Sequence, residues 1–129
     1  MPRRAGFTLI ELLIVMVIVA ILATIGVNRF WAAKDRALLA TITGDLRNMA
    51  AEQELYFEKN LAYAPAVTDL VGWTPSPSVT IKVTYAASDG WAANGVHGSL
   101  STGQCGIFTG NAPAVSGVPA TVLGVIACN

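Results

Sequence analysis

One carboxylate stands inside a long apolar run near the N-terminus. Glu11 lies in a segment that is apolar, with few polar breaks, from Phe7 to Val27, and residues 12–23 are all apolar. About 20 such residues are enough for a helix to cross the hydrocarbon core of a bilayer. A charge at that depth costs roughly 2.5–3.5 kcal/mol on insertion scales, which makes Glu11 a candidate functional residue.

The other residues that could support chemistry form no recognisable catalytic or metal site. His97 is the single histidine, and no cysteine or second histidine stands at zinc-ligand spacing from it. No serine or threonine has a recognisable base and orienting acid, and the sequence contains no glycine-rich phosphate loop. We therefore expect a protein that is not an enzyme and that uses no metal and no cofactor.

Two cysteines, Cys105 and Cys128, lie in the C-terminal part of the chain. An even number of cysteines in a domain that we expect to be exported indicates one disulfide. Closing that loop would stabilise the fold by about 3 kcal/mol if the bond acts through the entropy of the unfolded chain. Two free buried thiols are the alternative.

The length and charge of the chain limit its class. Its 129 residues suffice for one small domain and an anchor, and a formal net charge of zero, with scattered basic residues, does not indicate a nucleic-acid partner. Arg3 and Arg4 before the apolar run are typical of a secretory signal, but residues 21–23 make a poor cleavage site. A retained anchor would leave Arg3 and Arg4 in the cytoplasm and the C-terminal domain across the membrane.

The segment after the apolar run predicts the rest of one long helix, since no proline occurs between Phe7 and Asn60. Arg29-Phe30-Trp31 is a plausible interface anchor where the apolar run ends. Apolar residues then recur at helical spacing, and charged residues largely lie off their stripe. The stripe consists of Leu39, Ile42, Leu46, Met49 and Tyr56, and the charged residues are Asp35, Arg36, Asp45, Arg47, Glu52 and Glu58.

The C-terminal half predicts a small antiparallel sheet that covers the amphipathic part of the helix. Residues 79–85 alternate as a half-buried strand does, and residues 104–109 form a later strand. We expect short strands at 91–93 and 96–100 with a turn at Asn94-Gly95 between them. Residues 122–127 form a last short strand or lie extended. Three or four strands packed on one helix make an α+β fold.

The segment from Arg4 to Val15, Arg-Ala-Gly-Phe-Thr-Leu-Ile-Glu-Leu-Leu-Ile-Val, resembles the type III signal of type IV pilins and related pseudopilins. Residues 52–64 resemble, less specifically, the end of the long helix in many pilins. The resemblance implies that a membrane-embedded aspartyl peptidase cuts between Gly6 and Phe7 and methylates the new amine of Phe7. One departure is Asn28, which stands about where many pilins have a helix-breaking proline.

Cleavage would place a cationic amine on Phe7, one helical turn before Glu11. Glu11 of an incoming subunit could then pair with the Phe7 amine of the subunit above it. A charge pair in a medium of low dielectric constant is directional and sets axial register, which contacts between leucine and isoleucine side chains do not. The alternative is that Glu11 only reaches the membrane surface with its side chain.

The resemblance implies a pilin fold with four parts. These are a leader (1–6), a transmembrane and filament-core helix (7–28), the amphipathic half of the helix (29–60), and a head of loop and sheet (61–129) that contains the disulfide. The expected function is that of a structural subunit of a type IV pilus. Its precursor would span the bacterial cytoplasmic membrane once, with the C-terminus outside, and the filament would be extracellular.

The expected partners are identical subunits, the prepilin peptidase, the membrane before assembly and, indirectly, the assembly platform and its ATPases. Two alternatives remain open: a pseudopilin or minor pilin of a type II secretion or competence system, and a single-pass anchored binding domain. Pseudopilins often bind calcium through aspartates near the C-terminus. Residues 105–129 contain no aspartate or glutamate, which favours a pilus.

Overall fold

The structure is a computed structural model that describes residues 6–129, so Arg3 and Arg4 lie outside the described residues. The chain divides into two compact units, one up to Lys34 and one from Asp35 to Asn129. The α+β prediction is confirmed, with one long helix and a four-stranded antiparallel sheet. In chain order, the elements are α1 (Leu9–Asn60), a 3-10 turn (Val67–Asp69), β1 (Val79–Ala86), β2 (Gly90–His97), β3 (Gln104–Gly110) and β4 (Ala127–Cys128).

The core of the second unit lies between α1 and one face of the sheet. The stripe predicted from helical spacing is confirmed: Ile42, Leu46 and Met49 are fully buried, and Leu39 and Tyr56 pack against them. Burying side chains of this size stabilises a fold by about 1.5–3 kcal/mol each. The sheet contributes two residues from each of its three long strands, Val79, Ile81, Trp91, Ala93, Cys105 and Ile107.

The strands pair in sequence order, β1-β2-β3-β4, and every pair is antiparallel. The predicted strands at 79–85 and 104–109 are confirmed. The turn predicted at Asn94-Gly95 and the separate strand at 96–100 are wrong, because β2 runs without interruption from Gly90 to His97. In the segment 122–127 only Ala127 belongs to a strand, the two-residue β4.

Gly95 is a glycine because the helix passes close to β2, and not because the chain turns there. A Cβ atom at this position would lie 2.6 Å from Cγ2 of Ile42 and 3.3 Å from Cγ1 of Ile81. Real Cβ atoms do not approach a neighbour that closely, so a side chain here would push α1 away from the sheet. Gly95 is therefore required by the packing of the helix on the sheet, although the pair Asn94-Gly95 is of a type that is common in hairpin turns.

The opposite face of β2 and β3 is covered by the loop that follows β3. Ala92 packs there against Ala112 and Val115 of the loop, and Phe108 and Val118 flank them. At the start of the loop, Gly110 has φ +60°, and a Cβ atom there would lie within 2 Å of the carbonyl oxygen of Asp89. Both faces of the central strands are thus buried, although the sheet is small.

Two buried polar side chains of α1 form hydrogen bonds with the segment that connects the helix to the sheet. Asp45, one of the charged residues expected to lie largely off the stripe, is only 6% exposed. Its carboxylate accepts hydrogen bonds from the backbone N–H of Ser76 at 2.8 Å and the Ser76 hydroxyl at 2.9 Å. Gln53 is fully buried and exchanges two hydrogen bonds with the backbone of Ala64, at 2.8 and 3.0 Å.

The predicted disulfide is confirmed: Cys105 and Cys128 are bonded to each other. The two cysteines are register partners on β3 and β4, so the bond holds the two-residue last strand to the sheet. The Thr43 hydroxyl of α1 lies 3.5 Å from Sγ of Cys128 and 3.9 Å from Sγ of Cys105. The disulfide thus sits between the sheet edge and the helix.

Candidate assembly segment

The apolar side chains of the N-terminal unit are exposed throughout the part of it that the structure describes. From Phe7 to Val27 the large apolar side chains are between 51% and 82% exposed. Among the described residues, α1 is the one helix long and apolar enough to cross a membrane, as judged by length and composition. An exposed apolar surface of this extent needs lipid or protein to cover it, since soluble monomers rarely leave such patches open to water.

Thr8 and Glu11 form a reciprocal cap at the start of α1. The backbone N–H and the hydroxyl of Thr8 donate to Oε2 of Glu11, at 2.9 and 2.8 Å, and the backbone N–H of Glu11 donates to the Thr8 hydroxyl at 3.3 Å. This is the capping box, which satisfies backbone donors that have no partner inside the helix. Neither bond to the carboxylate uses Oε1, so that oxygen stays available to another donor.

Glu11 was a predicted site residue, whereas Thr8 was not. The spacing Thr8-Leu9-Ile10-Glu11 before an apolar run is itself the signature of a capping box and could have identified the pair. The cap also explains why α1 begins at Leu9 and not at Phe7. Gly6 and Phe7 therefore lie outside the helix, and among residues 6–129 no atom outside its chain neighbours comes within 4 Å of a Cβ built on Gly6.

Asn28 does not interrupt α1. The helix is continuous from Leu9 to Asn60, and the Asn28 side chain donates to the backbone carbonyl of Thr24 at 3.4 Å. The Thr24 hydroxyl donates to the carbonyl of Ile21 at 2.7 Å. Because asparagine keeps the backbone N–H that proline lacks, the backbone hydrogen bonds of the helix continue through this position.

Aromatic and basic side chains meet where the apolar run ends. The rings of Phe30 and Trp31 lie edge to face, with centroids 5.9 Å apart, and Nζ of Lys34 lies 4.9 Å from the centre of the Trp31 ring. Phe30 and Trp31 are both more than half exposed. This composition is typical of the headgroup region of a membrane.

Comparison with known proteins identifies the class to which this segment belongs. A family model described as the prokaryotic N-terminal methylation motif matches residues 1–27. The type IV wide pilus major component PilA4 of Thermus thermophilus is 31% identical over 127 residues, which cover 92% of this chain and 97% of that protein. The chain belongs to the type IV pilin family.

Two further relatives show the breadth of the family around this pilin. The type II secretion system core protein G of Pseudomonas aeruginosa is 33% identical over 76 residues, 59% of this chain and 54% of that protein. The type IV major pilin protein PilA of Myxococcus xanthus is 32% identical over 90 residues, 68% of this chain and 40% of that protein. These names describe components of filaments and secretion systems, and none describes an enzyme.

The predicted site residues of the pilin fall into two separate places. Gly6, Phe7 and Glu11 lie together at the start of the N-terminal unit, and Cys105 and Cys128 are bonded in the second unit. Within residues 6–129, no group of three or more histidine, cysteine, aspartate or glutamate side chains is placed to hold a metal ion. Nδ1 of His97 accepts a hydrogen bond from the backbone N–H of Ser99 at 3.1 Å.

Proposed function

We propose that this chain is a structural subunit of a type IV pilus that assembles through residues 7–28. The precursor is held in the membrane by the apolar helix, cleaved between Gly6 and Phe7, and methylated at Phe7. The observation that carries the proposal is the continuous exposed apolar surface from Phe7 to Val27, which contains a single carboxylate. Identical helices are the partners that can cover this surface once a subunit leaves the lipid.

The capping box supports a defined role for Glu11 in this process. Before cleavage, Phe7 has an ordinary peptide nitrogen, and the Glu11 carboxylate is held through Oε2 by Thr8. Cleavage would create a cation on Phe7, and Oε1 of Glu11 on an adjacent subunit could accept its N–H groups. Because charge-assisted hydrogen bonds strengthen where water is excluded, this pair would set the axial position of the incoming subunit.

Glu11→Gln tests the role of the charge apart from the cap. A capping box works with glutamine as well as with glutamate, so this variant keeps the bonds from Thr8 and loses only the charge. We expect filament yield to fall by at least about tenfold, which corresponds to about 1.4 kcal/mol of lost assembly energy. The measurement is the amount of subunit recovered in filaments sheared from the cell surface.

Thr8→Val is the matched control, because it removes the hydroxyl from the cap and keeps the charge of Glu11. We expect its filament yield to stay within a few-fold of the parent chain. Normal filaments from Glu11→Gln would overturn the role of the charge. Mass spectrometry of the parent chain should show an N-terminus at methylated Phe7, and an N-terminus beyond Val27 would overturn the pilus proposal itself.

The pseudopilin alternative is supported by the relatives named as core protein G of type II secretion systems. A second such relative, from Klebsiella michiganensis, is 28% identical over 125 residues, 92% of this chain and 88% of that protein. Abundance distinguishes the two functions. A major pilin forms most of the protein in sheared surface filaments, whereas a pseudopilin stays with the cell envelope.

A further inference from the structure

Within the second unit, four exposed charges follow one line along the face of α1 that points away from the sheet. They are Arg36, Arg47, Glu54 and Glu58, in that order, and we call them the charge stripe. An α-helix advances 100° per residue, so these four side chains leave the helix within about 40° of one another. The buried residues Ile42 and Leu46 leave it on the other side. The stripe therefore has a basic half followed by an acidic half.

The charges of the stripe are not neutralised inside the chain. Within residues 6–129, no lysine or arginine nitrogen lies within 4.0 Å of a carboxylate oxygen. Lys59 follows Glu58 in sequence but leaves the helix about 100° away from it. Both arginines and both glutamates of the stripe are exposed. The stripe is thus free to meet a partner with the same charge order.

Glu54 of the acidic half is held in place by Tyr63. The Tyr63 hydroxyl donates to the Glu54 carboxylate at 3.2 Å, and the Tyr63 ring stacks on Phe57 with centroids 4.7 Å apart. Partial burial, and secondarily the charge of Glu54, raise the pKa of Tyr63, so the hydroxyl keeps its proton as a donor. A side chain fixed in this way loses less conformational freedom when it binds a partner.

A parallel copy of the helix can match the stripe only when it is shifted along the axis. Without a shift, like charges meet, a shift of 7 residues pairs only Arg47 with Glu54, and a shift of 11 residues places Arg36 beside Arg47. A shift of 18–22 residues, about 27–33 Å at 1.5 Å per residue, places Arg36 against Glu54 and Glu58. These two glutamates are one helical turn apart, so one guanidinium with its fork of donors reaches both.

We propose that the charge stripe is a docking face for a second copy of this chain, with Arg36 of one copy bound to Glu54 and Glu58 of the other. The inference rests on the proposed function in one respect, which is the relative direction of the two helices. An antiparallel pair would also match the charges, but subunits anchored in one membrane are parallel. The shifted contact joins two different parts of the same face. It is therefore heterologous, and because of the axial shift it does not close into a ring.

Carbodiimide coupling of filaments made from the Arg36→Lys variant tests the contact directly. This reagent joins an amine to a carboxylate only when the two touch, and Arg36→Lys keeps the positive charge while it supplies the amine. Residues 36 and 54 are about 27 Å apart on one helix, so a bond between them must join two subunits. We expect peptides linked from position 36 to Glu54 or Glu58, and we expect none in the parent filament or in detergent-dispersed subunits.

Charge reversal provides a second test that does not depend on the lysine variant forming filaments. We expect Arg36→Glu, and separately Glu54→Arg with Glu58→Arg, to reduce filament yield by at least about tenfold, because each places like charges in contact. The three changes together should restore most of that loss. Lys82→Glu, an equal charge change at an exposed position of β1, should leave the yield unchanged.

The outcomes separate this inference from the proposed function. If the parent chain forms no filament, the pilus proposal fails and the stripe with it. If the parent forms filaments but position 36 links to neither glutamate in Arg36→Lys filaments, or if the reversed variants assemble normally, the stripe alone is overturned. The stripe would also be overturned if the reversed variants lose filament yield and the three changes together do not restore it, provided that the Cys105–Cys128 bond shows that the head has folded.

Discussion

Two buried polar side chains, Asp45 and Gln53, determine where the chain goes after α1. Each provides a pair of hydrogen bonds to a segment that has no regular structure, Asp45 to Ser76 and Gln53 to the backbone of Ala64. A buried carboxylate or amide is tolerated only when its bonds are made. These bonds therefore specify the position of the connecting segment more narrowly than apolar contacts would.

Asp45→Ala should destabilise the folded chain by about 1–3 kcal/mol. The substitution removes both acceptors of Ser76 and leaves a partly buried backbone N–H without a partner. The measurement is urea unfolding of the full chain in detergent, followed by tryptophan fluorescence, since Trp91 is fully buried. Asp35→Ala removes the same charge from an exposed position of α1 and should change stability by less than about 0.5 kcal/mol. Equal effects of the two substitutions would contradict this interpretation.

Residue patterns could predict some of these roles and not others. Helical spacing identified Ile42, Leu46 and Met49 as core residues because burial of an apolar face is a local property of the helix. Asp45 could not be identified in this way, since its partner Ser76 is 31 positions away and an aspartate is normally exposed. Thr8 is a different case: the capping signature was present but lay beside a stronger signal, the apolar run.

At the scale of elements, the distance between α1 and β2 is set by a residue without a side chain. The helix lies close enough to the sheet that only a glycine fits at position 95. Asn-Gly predicts a hairpin when only neighbouring residues are considered, and that prediction was wrong because a tertiary contact decided the residue type. The strand at 79–85 was predictable for the opposite reason, since its alternation records burial on one face.

Gly95→Ala should destabilise the fold by about 1–3 kcal/mol, the usual cost of forcing one extra carbon into a packed core. The added Cβ would meet Ile42 and Ile81, so either the helix moves or both side chains leave their preferred rotamers. Gly98→Ala is the matched control, because its Cβ would meet only the carbonyl oxygen of Ser78 at an ordinary 3.6 Å. Denaturant midpoints of the two variants should differ, and identical midpoints would show that the helix can give way freely.

At the scale of the whole molecule, one covalent bond secures the end of the chain. The strand β4 has two residues, which is too short to stay paired by hydrogen bonds alone, and Cys105–Cys128 spans 23 positions. Reduction of the bond should lower stability by about 3 kcal/mol. The midpoint of denaturation should fall when a reductant is added to the parent chain. It should not respond in a Cys105→Ser, Cys128→Ser double variant, which should already show the lower value.

The exposed apolar surface from Phe7 to Val27 and the buried stripe of the second unit were predictable from the sequence, because one stretch is apolar on all sides and the other on one stripe. The pairing that we propose between Glu11 and the Phe7 amine of another subunit is not open to the same reasoning, since it depends on a second chain and on cleavage of a peptide bond. Periodicity describes what one chain can bury in itself. To predict contacts between copies, the charges of exposed residues and their positions along the helix must also be considered.

The uncovered surface from Phe7 to Val27 has a consequence for growth. Free subunits of such a chain cannot accumulate in water, so the supply for polymerisation is a population confined to a sheet of lipid. Its relevant concentration is counted per area and not per volume. Elongation would then speed up when the same number of molecules is crowded into a smaller patch of bilayer, even if the amount per cell is unchanged.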